Sequence, residues 1–387
     1  MIETHNTIVI SGLGLVSSIG TNADVAAAAY LAGVVRRSED NGLLVFDEDE
    51  GDFLPISTHR VPILSHGFSG LGRLTLLGVE ALHSLLNDVE KDSVNPTKTG
   101  IYISFPCAVK LKNIYECKSK LKDNKDLLSV CKHSAFSLDN ESSNSYKAVV
   151  KNTLEIAGFS VSLNQIHITG GGSASIALSI QLASKDLNEG KFESCIVGTF
   201  DSFVDSKLVK LLHDDKRIKH GGNPAGFLAG EAGGLLLLET NFTAISKNRT
   251  FEVAISAVSV QEEKSHYFTN EPTSGAALAA TTFDVLNSSD KNKSSRIFIS
   301  DHNGESFKAT ELASMMVKLR SQDIDLDDIK IFTPVESFGE TGSANAVVAI
   351  CIANRILGKN YFNTEDAVIL SSSLTNERAS IRLARVN

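Results

Sequence analysis

Strands that alternate with helices along this chain predict an α/β fold whose sheets are covered by helices on both faces. Three observations carry that reading. Short apolar runs such as Ile8-Val9-Ile10, Ile101–Ser104, Cys195–Gly198 and Ala232–Leu238 are strand-like and are separated by segments of helical character. Two units, near Gly12 and near Gly171, run from a strand through glycines toward a helix, which suggests internal duplication. The segment Ser173–Asn188 is apolar nearly all round and Ser343–Leu357 is Ala-rich, so both read as buried helices enclosed between layers.

In chain order, the first strand is expected at Ile8–Ile10, entering a glycine-rich turn at Gly12, Gly14 and Gly20. Asp24–Ala32 reads as a helix ended by Gly33. Residues 39–65 are polar and irregular and read as an excursion. Leu71–Leu86 has helical spacing through Leu74, Leu77, Leu82 and Leu86. Leu111–Asn144, rich in Lys, Asp and Ser, is assigned to helices of an outer layer, and Tyr146–Ala157 to a further helix. Gln165–Ile168 is a strand that meets Gly170-Gly171-Gly172 before the helix that closes at Gly190. The tract Leu286–Ser295 is a solvated loop, and Arg296–Ser300, Lys330–Phe332 and Ala367–Leu370 are strands.

Composition narrows the function. At 387 residues the chain can bury a large core. A net charge of −9 opposes non-specific nucleic-acid binding, which needs a basic surface. No apolar run reaches the length of a membrane span, and Met1–His5 lacks the pattern of a signal peptide, so a cytoplasmic protein is expected. The five cysteines are scattered without a CxxC pair, so neither a disulfide framework nor a zinc site is indicated, and no cofactor is expected.

Two motifs invite sharper readings and fail on spacing. In Gly12-Leu13-Gly14 the third glycine of a dinucleotide fingerprint falls on Ser17. In Gly171-Gly172-Ser173-Ala174-Ser175 the closing glycine of a hydrolase elbow is Ser175, which leaves Ser173 a helix-capping role. Cys107 and Cys195 lie in apolar settings and read as core residues. The acidic runs Asp47–Glu50 and Asp323–Asp328 read as solvated faces.

Taken in order, five segments resemble the thiolase-fold condensing enzymes, in particular β-ketoacyl synthases. They are Val9–Gly20, Leu31-Ala32-Gly33, Gly198-Thr199-Phe200-Asp201, Asn223–Gly234 and Phe338–Ala344, which together span nearly the whole chain. The resemblance implies a thiolase-like fold of duplicated α-β-α-β-α layered halves, at 1–240 (with cap insertions) and 241–387. It also implies a site. The family's nucleophilic cysteine falls on Gly171, its second histidine on Glu340, and its first on His302 in Asp301-His302-Asn303-Gly304. Gly171 has no side chain to attack a thioester, and a carboxylate at Glu340 repels developing negative charge. The family's C-terminal glycine-rich loop is replaced by Ser371–Asn376.

Such a degenerate member implies a chain-length factor of type II polyketide synthases, possibly of the aryl-polyene kind. It lacks catalytic residues and shapes an acyl tunnel in a heterodimer with an active β-ketoacyl synthase, which receives acyl groups from an acyl carrier protein. By the same resemblance, Gly170, Gly172, Ser173 and Ala174 are tunnel or interface candidates. His302 is otherwise a loop histidine bonded to backbone or Asp301, Glu340 a partner for a nearby cation or for the other subunit, and Glu231 a structural hydrogen-bond acceptor. The alternatives are a homodimeric acyltransferase or decarboxylase that uses His302, Glu340 or Ser173, and a stand-alone acyl-binding protein.

Overall fold

The computed structural model describes residues 7–61, 64–90, 93–118, 140–269, 271–288 and 297–386. The N-terminal residues 1–5, Cys131 and most of the tract Leu286–Ser295 therefore lie outside the described residues, as does the middle of Leu111–Asn144.

The strands are β1 (Ile8–Ser17), β2 (Ser38–Asp47), β3 (Asp52–Thr58), β4 (Thr99–Phe105), β5 (Ile166–Gly171), β6 (Ser194–Ser202), β7 (Glu231–Thr240), β8 (Val253–Glu262), β9 (Ile297–Ser300), β10 (Lys330–Phe332), β11 (Asp366–Ser372) and β12 (Glu377–Arg385). Ten of them form one sheet in the order β10-β9-β11-β12-β8-β1-β7-β6-β4-β5. That order contains a repeat. From β1 outward the strands run first, fifth, fourth, second and third of their set, and from β8 outward they do the same. The pairing repeats as well: β4 is parallel to β5 and β6, and β9 to β10 and β11, while the remaining pairs are antiparallel. The two sets meet where Ile8 and Val9 pair with Ile255 and Ala254.

The helices used below are α1 (Ala23–Leu31), α2 (Gly70–Asp88), α3 (Cys107–Lys118), α4 (Asn140–Ile156), α5 (Ser175–Asn188), α6 (Ser206–Asp214), α7 (Asn241–Ser246), α8 (Ala276–Asn287), α9 (Ser306–Arg320), α10 (Val335–Phe338) and α11 (Asn345–Gly358). Helices α5 and α11 touch strands of both sets and share one core cluster with them, so they form a central layer. Helices α2 and α4 cover one outer face and α8 and α9 the other. The molecule is thus layered α-β-α-β-α. Its burial follows: Val347, Val348, Ile350, Ile352 and Ile356 of α11 are all at or below 1% exposure.

Several expectations are corrected. The strand begun at Ile8 does not turn at Gly12 but continues to Ser17. Its glycines serve packing: a Cβ at Gly12 would lie 2.1 Å from Val89 Cγ1, and one at Gly14 2.2 Å from the Ala81 carbonyl oxygen, so α2 can lie directly on the strand. The excursion at 39–65 contains the hairpin β2–β3, whose alternation of buried Leu43 and Val45 with exposed Leu44 and Phe46 is the period of a strand. Asp47, in the acidic run read as solvated, is buried and faces His220 Nδ1 at 3.3 Å. Helix α5 buries Ser175, Ile176, Ala177, Ser179 and Ile180 but exposes Leu182.

Candidate functional site

The site lies where the two central helices begin. Strand β5 ends in Gly171 and α5 starts at Ser175. Between them Gly172 has φ +153°, a backbone setting that side chains strain to adopt, and a Cβ there would fall 2.3 Å from Ser373 Oγ. At Gly171 a Cβ would meet the Phe105 carbonyl oxygen at 3.0 Å and Lys110 Cδ at 3.3 Å. The nucleophile position predicted from sequence is therefore crowded by the Phe105 carbonyl and by a lysine from α3. Lys110 and Glu377 are both buried, with Lys110 Nζ 3.3 Å from Glu377 Oε1 and 3.5 Å from Thr375 Oγ1.

Ser343, at the entry to α11, ties the two turns together. Its hydroxyl donates to the Phe105 carbonyl at 2.9 Å and accepts from the N–H groups of Gly172 and Cys107 at 3.2 and 3.1 Å. Beneath it, Asp201 is fully buried and accepts from four backbone N–H groups, those of Cys107 (2.6 Å), Ala108 (3.2 Å), Ser343 (3.0 Å) and Ser202 (2.9 Å). Burial pushes its carboxyl up to about 7, against those donors, which favour the ionised form. The carboxyl caps the N-terminus of α3 and so fixes the helix that carries Lys110.

Ser173 does not cap α5. Its hydroxyl donates to the Ser372 carbonyl at 3.0 Å, and the cap position is Ala174, whose N–H donates to Ser373 Oγ. The residue is committed to β11 because the turn after β5 packs on the loop that follows β11. Cys107, the nearby thiol, is equally unsuited to attack, since burial, with Asp201 and Glu340 adding to it, drives its pKa far above the ordinary thiol value.

Glu340 is buried in a network of neutral donors. Its Oε1 accepts from Gly342 N at 2.9 Å and from Asn345 Nδ2 at 2.6 Å, and its Oε2 from Asn303 Nδ2 at 2.6 Å. Among the described residues it forms no direct bond to a cation, the pairing that was one alternative read from sequence; its oxygens are taken by amides that the fold brings to it. Asn303 Nδ2 also reaches Glu305 Oε2 at 2.9 Å, and Glu305 is gripped by Arg217 through bonds of 2.6 and 2.8 Å. Burial opposes the Glu305 charge, but Arg217 outweighs it and holds the carboxyl below its usual range.

The structure thus sets Asn303, not His302, against Glu340. The His302 ring keeps a buried Nδ1 without a partner, while its backbone N–H donates to Ser300 Oγ. Burial, with Lys308 beside it, lowers its pKa, and its Nδ1 is not bonded to Asp301, the partner that the sequence reading offered. Asp301 is engaged elsewhere, by Lys308 Nζ at 2.8 Å and Ser372 N at 2.9 Å. The gap between Asp301 and Asn345 measures about 10 Å³, which is the space of one water.

Glu231 is the structural acceptor expected, bonded by Val61 N, Ser65 Oγ, Ser202 Oγ and Arg73 Nη1. Sequence reasoning missed Lys110, Ser343, Ser373, Asn303 and Glu377. No local spacing marks them, because each meets its partner across the fold. Among the described residues no cluster of three or more His, Cys, Asp or Glu side chains is placed to hold a metal ion, and no helix is long and apolar enough to cross a membrane.

No protein-family model and no curated protein matches this sequence. Solved structures do match its shape. One is the AntDE:AntF complex, a type II PKS acyl-carrier protein with its ketosynthase bound to the hexaketide, at TM-score 0.74 and 14% identity over 99% of this chain and 100% of that one. Another is the ishigamide ketosynthase/chain length factor, at TM-score 0.71 and 13% identity over 99% and 100%. A third is the ketosynthase from module 6 of the bacillaene synthase of Bacillus subtilis 168, at TM-score 0.71 and 12% identity over 98% of this chain and 72% of that one. At such identities the likeness is one of fold, and it is the layered, internally repeated fold described above. The chain thus has the fold of these ketosynthase structures.

Proposed function

We propose that this chain is a non-catalytic, chain-length-factor-like subunit that pairs with an active β-ketoacyl synthase and shapes the acyl tunnel of the pair. The observation that carries the reading is the turn at Gly171, which has no nucleophile and whose space is taken by Lys110 and the Phe105 carbonyl. Glu340 supports it. A carboxylate whose oxygens already accept from Asn303, Asn345 and Gly342 has no free donor to offer a developing oxyanion.

Pairing is supported by the sheet edge. Among the described residues strand β5 is an outermost strand, and its free side leads into Gly170–Ala174, so a partner strand added there would bury the degenerate turn at the junction. The neighbours' descriptions agree in kind, since one pairs a ketosynthase with a chain length factor and another joins a ketosynthase to an acyl-carrier protein. On this reading the partner supplies the cysteine and histidines and receives acyl groups from the carrier protein. The pair works in the cytoplasm, on a polyketide or a fatty-acid-like polyene such as an aryl polyene.

The test is co-expression with the ketosynthase encoded nearest to it, followed by size-exclusion chromatography with mass determination and an extension assay on carrier-bound malonyl units. A one-to-one complex whose extension activity is lost without this chain is expected. A self-sufficient homodimer that turns over acyl thioesters overturns the reading.

A further inference from the structure

We propose that Lys110 is a built-in plug. Its side chain occupies the space that an acyl group held at the Gly171 turn would need, and Glu377 tethers it there. This rests on the non-catalytic reading of the turn and goes beyond it by saying what keeps the turn closed to acyl chains.

Three features make the closure depend on one side chain. Of the atoms that crowd a Cβ at Gly171, Lys110 Cδ belongs to a flexible stem, whereas the Phe105 carbonyl is fixed in the sheet. The base of that stem is rigid, because Asp201 holds the first N–H groups of α3. The tip is held from the opposite set of strands: Glu377 opens β12, and Thr375 Oγ1, which itself bonds the Glu377 carboxylate, lies within reach of the ammonium. The ion pair thus spans the mouth of the turn, from α3 on one side to the β11–β12 turn on the other.

The pair is costly to bury. Charges taken from water gain little net stability over an apolar pair of the same volume. Here the apolar alternative would leave a greasy hollow beside the turn, open to the long acyl chains that the proposed partner handles. The charged tip excludes them, so acyl groups delivered to the complex stay with the catalytic subunit. His266 adds to the polar ceiling: it is buried with an unpartnered Nδ1, and the charges of Arg378 and Lys110 act on it.

The experiment places a reporter thiol under the plug. Full-length Gly171→Cys is treated with iodoacetamide in its folded state, and modification at residue 171 is followed by peptide mass spectrometry. Labelling is expected to be at least about tenfold slower than in Gly171→Cys/Lys110→Ala, with Gly171→Cys/Glu377→Gln in between. Equal rates in the first two, both folded by circular dichroism, overturn the proposal. The wild-type chain gives a second readout. Acetic anhydride is expected to modify Lys110 far more slowly than Lys185, whose side chain is 68% exposed. Equal acetylation also overturns the plug. Neither measurement uses a partner, so a failure here leaves pairing to be judged by co-purification, and a failure of pairing leaves the plug standing.

Discussion

The turn before α5 and the turn before α11 occupy corresponding places in the two repeats, yet they close the site by different means. At Gly170–Ala174 a side chain is missing and neighbours have moved in: Lys110 over Gly171 and Ser373 over Gly172. At Gly339–Ala344 a side chain is present, and the Glu340 carboxylate is consumed by amide donors backed by the Arg217–Glu305 pair. The first turn is closed by volume, the second by saturation of hydrogen bonds. Closure by volume yields when one flexible stem moves. Closure by saturation yields only if several buried polar groups lose partners together, which is why the second turn is the more expensive to disturb.

That contrast orders the predictions. The largest effect is expected from Arg217→Met, which leaves Glu305 buried beside Asn303 without its cation and should destabilise the fold by about 3–5 kcal/mol in chemical denaturation. A loss under about 1 kcal/mol would show that the second turn does not depend on its charge network. Next comes Gly172→Ala. The added methyl meets Ser373 Oγ in a strained backbone setting, and a loss of about 1–3 kcal/mol is expected, partly recovered by adding Ser373→Gly.

One residue back, Gly171→Ala meets the Phe105 carbonyl at 3.0 Å and the movable Lys110 Cδ at 3.3 Å, so the neighbours need to give by only a few tenths of an ångström. Its cost should stay below about 1 kcal/mol, and the difference between two adjacent glycines measures how far volume closure is carried by a movable side chain. If the two variants cost the same, that distinction is lost.

The smallest effect is a pH slope. Burial, with Arg378 and Lys110 next to it, lowers the His266 pKa from 6.5 to about 4. Between those values the unfolded chain binds the proton and the folded chain does not, so stability should fall as pH drops from about 6.5 toward 4. Thermal melts of His266→Gln across that range should show a shallower decline than the wild type. An unchanged slope would assign the acid sensitivity to other groups.

Much of the fold is legible in the sequence. The apolar runs that became β4, β6, β7 and β11, and the Ala-rich segment that became α11, announce a layered α/β protein, because burial on both faces demands continuous hydrophobicity. The hairpin β2–β3 was missed because its alternation is short and interrupted by Asp40 to Gly42, where the register shifts. Strands β8 and β12 and helices α8 and α9 were also unannounced; their sequences mix polar and apolar residues, and only their place in the sheet and its cover settles them.

For the site, the sequence by itself determined what is absent and what is present at two positions: Gly171 offers no nucleophile, and Glu340 carries a carboxylate where the resembled family has a histidine. These are properties of single residues and need no neighbours. Only the tertiary structure decided what fills the space they leave. Lys110 lies 61 positions from Gly171 and Glu377 lies 267 from Lys110, while Asn303 lies 37 from the Glu340 it touches. Contacts of that separation are set by how layers stack, not by local periodicity, so the identity of the closing side chains could not be read until α3, β12 and the two central helices were brought together.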